Sequence, residues 1–117
     1  MKRVAILRCL KSNDVCTGAA CLKALSDKKG SFGAYRYEEL VLKAFFSCNG
    51  CDDCKLKNQI GLQEKLEKLL EMQVEIVFVG VCTLIKDKNG SQTVCEEIVK
   101  IKDWLIRHGI VIVEGTH

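Results

Sequence analysis

Arg3-Val4-Ala5-Ile6-Leu7-Arg8 is a short, nearly continuous apolar run without helical spacing, the pattern of a strand buried on both faces of a parallel sheet. It ends at Cys9. After the polar turn Lys11-Ser12-Asn13-Asp14, which can supply an N-cap, Val15 to Ser26 is rich in Ala and Leu and reads as a first helix, with Cys16 at its start and Cys21 about one turn later. Asp27 to Tyr37, with Gly30 and Gly33 among polar residues, reads as a connection. Glu38 to Phe46 is β-favouring except at Lys43 and gives a second strand, which delivers Cys48.

Further along, Leu62, Leu66, Leu69 and Leu70 recur at helical spacing opposite Glu64, Lys65, Glu67, Lys68 and Glu71, predicting a second helix from near Asn58. Val74 to Val81 is a third buried strand leading to Cys82. The segment Thr83 to Gln92 is polar after Leu84-Ile85, and Asn89-Gly90 marks a turn. Thr93-x-x-Glu96 has the form of a capping box, which would put Cys95 at the second helical position. Val94, Ile98, Ile101 and Leu105, broadened by Trp104, supply the core stripe of this third helix, and Gly109 stops it after His108. Ile110 to Val113 is a fourth strand.

The alternation predicts an α/β fold: a small three-layer α/β/α sandwich around a four-stranded parallel sheet with right-handed crossovers. The expected strand order is 2-1-3-4, flavodoxin-like or Rossmann-like, with the topological switch between the first and third strands. No proline and no Ser/Gly-rich linker interrupts the chain, so residues 1–117 are expected to form a single domain.

Composition narrows the function. The net charge of +3 is spread over 18 basic and 15 acidic residues without a long basic run, which gives no reason to expect nucleic acid or a membrane surface as partner. Val4 to Leu7 is too short for the apolar part of a signal peptide, and no stretch suffices to span a bilayer. A cytoplasmic protein is expected. Eight cysteines in a reducing compartment point to metal binding or redox work rather than a disulfide framework.

In the predicted topology all the cysteines except Cys21 fall at one edge of the sheet. Cys9, Cys48 and Cys82 end strands, Cys16 and Cys95 begin helices, and Cys51 and Cys54 lie on the turn Cys48-Asn49-Gly50-Cys51-Asp52-Asp53-Cys54. His117 follows the fourth strand at the same edge. Cys-x-x-Cys with two remote cysteines suits tetrahedral zinc, and Cys-x-x-Cys-x-x-Cys with one remote cysteine is nearer the spacing of an iron-sulfur cubane. Spacing does not choose between them. Thiol-disulfide exchange at the Cys-x-x-Cys turn is a third reading. A phosphatase loop starting at Cys9 is excluded because its phosphate-binding arginine would fall on Val15.

These features resemble the CGGC domain family of small, cysteine-rich bacterial and archaeal proteins. The resemblance rests on Arg8-Cys9, Cys16-Thr17-Gly18 running to Cys21, the central Cys48-x-x-Cys51, Cys82, Cys95 and the closing Val113-Glu114-Gly115-Thr116-His117. Asn49 stands where the family motif has its first glycine. The resemblance implies metal binding, with zinc as the expected cofactor, an iron-sulfur cluster as the alternative and no established reaction. The expected ligands are Cys9, Cys48, Cys51 and Cys82, with Cys16, Cys54, Cys95 and His117 as alternates. A metal ion is the one partner implied.

Overall fold

The computed structural model describes residues 1–49, 59–86 and 92–116. Its strands are β1 (Lys2–Arg8), β2 (Leu40–Ser47), β3 (Ile76–Val79), β4 (Leu84–Lys86), β5 (Gln92–Val94) and β6 (Val111–Glu114), and its helices are α1 (Ala19–Asp27), α2 (Gln59–Glu71) and α3 (Glu96–Arg107). Four strands form a parallel sheet in the order β2-β1-β3-β6, the 2-1-3-4 order expected. Val4 to Leu7 of β1 have no exposed surface, which is why this central strand is apolar at successive positions rather than alternating.

Helices cover both faces. Leu62, Leu66 and Leu69 of α2 and Ile98, Ile101 and Leu105 of α3 pack against Ala5, Leu7, Val77 and Val79 on one side. On the other, Cys21 and Ala24 of α1 and the loop residue Phe32 pack against Val4, Ile6, Ile76 and Phe78. Leu70, read as part of the α2 stripe, lies at the surface. Among the described residues no helix is long and apolar enough to cross a membrane.

A bulge in the edge strand decides which face receives the end of β2. Val4 pairs with Leu42 and Ala5 with Ala44, so Lys43 is the extra residue. Before it, Leu40 and Leu42 face the α1 layer, and after it Ala44 and Phe46 face the α2 and α3 layer. The single insertion reverses the alternation and sends Cys48 into the core under α2 and α3. Lys43 itself is exposed, a charge on an edge strand that discourages pairing with another chain.

Three local expectations are corrected. The first helix starts at Ala19 rather than Val15, because Leu10–Asp14 form a 3-10 turn and Gly18 sits in the left-handed region with φ of 79°. The segment from Thr83 to Gln92 reads as a turn with no strand, and the structure pairs β4 and β5 antiparallel, with Thr93 opposite Ile85. Thr93 therefore belongs to a strand, and the N-cap of α3 is Cys95, which is not its second residue. The Asn89-Gly90 turn lies outside the described residues. Gly109 does end α3 as expected, with φ of 81° and the Ile110 N–H donating to the Leu105 carbonyl at 3.0 Å.

Gly18 offers a test of this geometry. A Cβ there would lie 2.8 Å from Phe45 Cζ while also forcing a side chain into the left-handed region. Gly18→Ala is expected to lower stability by about 1–3 kcal/mol, read as a shift of the urea midpoint at constant slope. An unchanged midpoint would mean that the turn before α1 does not sit against Phe45.

Candidate functional site

The carboxyl ends of β2, β1 and β3 lie side by side, and each is followed within a few residues by a cysteine. Consecutive backbone amides at the end of β1 link them. The Cys9 N–H donates to Cys82 Sγ at 3.4 Å, and the Leu10 N–H donates to Cys48 Sγ at 3.5 Å. Cys48 and Cys9 are buried and Cys82 is partly buried. Both contacts aim a backbone N–H at a sulfur, so the amides at the end of β1 fix where these two thiols lie.

Local structure holds the three chain ends. The Ser12 hydroxyl and N–H both donate to the Cys9 carbonyl, at 2.6 and 3.0 Å, closing the turn after β1. The Thr83 hydroxyl and N–H similarly donate to the Gly80 carbonyl, at 2.8 and 3.1 Å, and fix the 3-10 turn Val81–Thr83 that carries Cys82. Gly80 lets β3 approach β1 closely: a Cβ on it would stand 3.3 Å from Cys82 Sγ and 3.4 Å from the Leu7 carbonyl oxygen.

The other expected residues are distributed around this centre. Cys95 is joined to the Cys82 turn by its N–H, which donates to the Thr83 carbonyl at 3.3 Å. Cys16 lies in the loop before α1 rather than at the helix start. Its sulfur accepts the Gly18 N–H at 3.3 Å, and its carbonyl accepts Arg8 Nη1 at 3.3 Å. The Arg8 guanidinium stacks over Phe45 at 4.9 Å. Cys51, Cys54 and His117 lie outside the described residues.

Cys21, read as a turn away from the edge, is at the edge. The late start of α1 puts it in the first turn, where its thiol is 3.1 Å from Thr116 Oγ1. Thr116 is fully buried, and the Gly115 N–H donates to the Val79 carbonyl at 2.7 Å. The described thiols thus divide between the faces: Cys48 and Cys95 pack with the α2 and α3 core, and Cys21 packs with the α1 core. Among the described residues no two cysteines are joined by a disulfide. Among the described residues no three His, Cys, Asp or Glu side chains converge closely enough to hold a metal ion.

Lys65 of α2 was not singled out by the sequence, where it reads as one of several surface charges. Its ammonium donates to the Ser47 carbonyl at 3.0 Å and to Asn49 Oδ1 at 2.6 Å, the residues on either side of Cys48. Burial holds its pKa below the ordinary lysine value, and the charge of Cys48 acts in the opposite direction. The signal available beforehand was the helical face: Lys65 lies one position before the buried Leu66 and four before the buried Leu69, at the border of the apolar stripe.

A protein of Methanocaldococcus jannaschii, described as uncharacterized, is 30% identical to this chain over 122 aligned positions, which cover 98% of this chain and 86% of the relative. No solved structure matches the chain. The CGGC domain matches residues 3–117, spanning the sheet, its three helices and every cysteine named above, and the chain belongs to the CGGC domain family.

Proposed function

We propose that the chain is a metal-binding protein whose thiolate site, at the carboxyl edge of the sheet, takes zinc. Cys9, Cys48, Cys51 and Cys82 are the proposed ligands, with Cys16, Cys54, Cys95 and His117 as alternates. One observation carries the reading: the adjacent amides of Cys9 and Leu10 draw the sulfurs of Cys82 and Cys48 to the end of β1 from opposite sides. The family supports a cysteine-rich, metal-binding role.

The donor type suits the ion, although among the described residues Cys9, Cys48 and Cys82 do not converge closely enough to hold it as they stand. Thiolates are usual ligands of zinc, and N–H groups directed at sulfur are the kind of outer contact that tunes such sites. Bound zinc would supply a fixed positive charge that ties the ends of three strands together. The chain's own part is to hold the sulfurs: Ser12 and Thr83 fix the turns, and Gly80 leaves room for Cys82.

Protein purified without oxygen is expected to carry about one equivalent of zinc by elemental analysis. Less than about a tenth of an equivalent of zinc and iron together, with all thiols free, would overturn the metal reading. Brown protein with sulfur-to-iron charge-transfer absorption would replace zinc by an iron-sulfur cluster. Reduction of a test disulfide that Cys51→Ser abolishes would move the site to thiol-disulfide exchange.

A further inference from the structure

We propose that the groove between the edge strand β2 and helix α2 binds a small amphiphilic anion, an acidic head on an apolar body of roughly eight carbons. The site is separate from the thiols and does not depend on the metal reading.

The groove measures about 270 Å³, with α2 as one wall and β2 as the other. Its apolar surface comes mainly from Phe46, Leu69 and Met72. Phe46 is half-buried and Met72 is 38% exposed, so sheet and helix leave the packing of these side chains incomplete. The bulge is the cause on the strand side. By inserting Lys43 it turns Ala44 and Phe46 toward α2 and sets a charge on the groove's rim. On the helix side Lys65, Lys68, Leu69 and Met72 recur three or four positions apart, which puts charged and apolar groups on one side of its last turns.

Charge selects the ligand. Lys43, Lys65 and Lys68 bring three ammonium groups to the groove, of which Lys68 is paired with Glu71 at 3.5 Å. No carboxylate is among the described residues that line it. Lys65 is held in place by the Ser47 carbonyl and Asn49 Oδ1, so that cation is positioned before a ligand arrives. An apolar floor under a cationic rim complements a molecule with an apolar body and a negative head.

Size and backbone argue for a small molecule. The groove holds about nine water volumes and falls below the roughly 300–1,000 Å³ of sites for drug-sized ligands. An extended peptide adding to the sheet needs a regular strand edge, and the bulge and exposed Lys43 interrupt that of β2.

The test is a titration of the full chain with octanoate, followed by the backbone amide signals in two-dimensional NMR, with octanol and octylammonium as neutral and cationic controls of the same length. Octanoate is expected to bind one-to-one with a Kd of about 1 mM or below, shifting the amides of residues 43–46 and 65–72. Octanol should bind about 5-fold more weakly or worse, and octylammonium more weakly still. Lys43→Gln combined with Lys68→Gln should weaken octanoate by about 3-fold to 10-fold and leave octanol unchanged, and Met72→Glu should weaken both. All three substitutions are at exposed positions, and thermal midpoints check that the variants fold. The proposal is overturned by the absence of saturable shifts up to about 10 mM octanoate, by shifts centred elsewhere, by octanol binding as well as octanoate, or by variants that bind octanoate like the parent.

Discussion

Phe78→Ala is expected to destabilise the protein by about 3–5 kcal/mol, the range for deleting a fully buried aromatic side chain. Phe78 is on β3, in the interior of the sheet, with no exposed surface. Its ring lies 4.1 Å from that of Phe32 and 5.7 Å, edge to face, from that of Tyr35. Those two residues belong to the connection after α1, and Phe32 is itself fully buried. Truncation therefore removes the surface against which the whole Gly30–Tyr35 turn is packed, and neither neighbour can fill the space without leaving its own place in the chain.

Domains of this size have total stabilities of roughly 5–15 kcal/mol, so the loss takes a large share of it. It should appear as a fall of about 10–20 °C in the thermal midpoint. Val111→Ala on β6, where the side chain is 54% exposed, is the control and should stay within about 1 kcal/mol. A Phe78 variant as stable as the Val111 variant would show that the α1 face of the sheet is not packed as described.

Phe78 also marks how far the sequence carries. Its strand, like β1, was legible because burial on both faces leaves an unbroken apolar run, whereas the edge strands β2 and β6 were read from their β-favouring composition, and the order β2-β1-β3-β6 agrees with parallel strands joined by right-handed crossovers. The connection that covers it was not. Gly30 and Gly33 signalled a loop, and nothing local says that Phe32 turns inward, since that depends on a partner 46 positions away in sequence. Non-local packing of this kind leaves no periodic trace.

The thiol edge shows the same division. Placing Cys9, Cys48 and Cys82 at strand ends needed only the strand assignments. The amides that join them, and the faces to which the thiols belong, depend on two one-residue features: the bulge at Lys43 and the left-handed Gly18. The first sets the side on which Cys48 emerges. The second delays α1 and brings Cys21 to Thr116. Neither alters the hydrophobic pattern enough to be read in advance. Lys65 was hidden for a related reason, because a lysine at the border of an amphipathic stripe looks the same whether it faces water or a turn.

Under the proposed zinc-site reading, Cys48→Ser is expected to reduce zinc affinity by about 100-fold or more while leaving the metal-free fold in place. Structural zinc sites contribute roughly 10–16 kcal/mol in all, so losing one of four ligands removes about 3 kcal/mol, which corresponds to a factor of roughly 100. Serine suits the position sterically and still offers an acceptor to the Leu10 N–H, so the apo protein should lose no more than about 1–2 kcal/mol. The alternative is that Cys48, 2% exposed and packed with the α2 and α3 core, is simply a small apolar residue. That alternative predicts the reverse pattern: a greater loss of stability in Cys48→Ser than in Cys48→Ala, and unchanged zinc binding in both. The ligand role predicts that both variants lose zinc alike, since neither side chain supplies a thiolate. Measuring the two variants side by side, for metal affinity and for urea midpoint, therefore separates a ligand from a core thiol, whichever of the remaining cysteines complete the site.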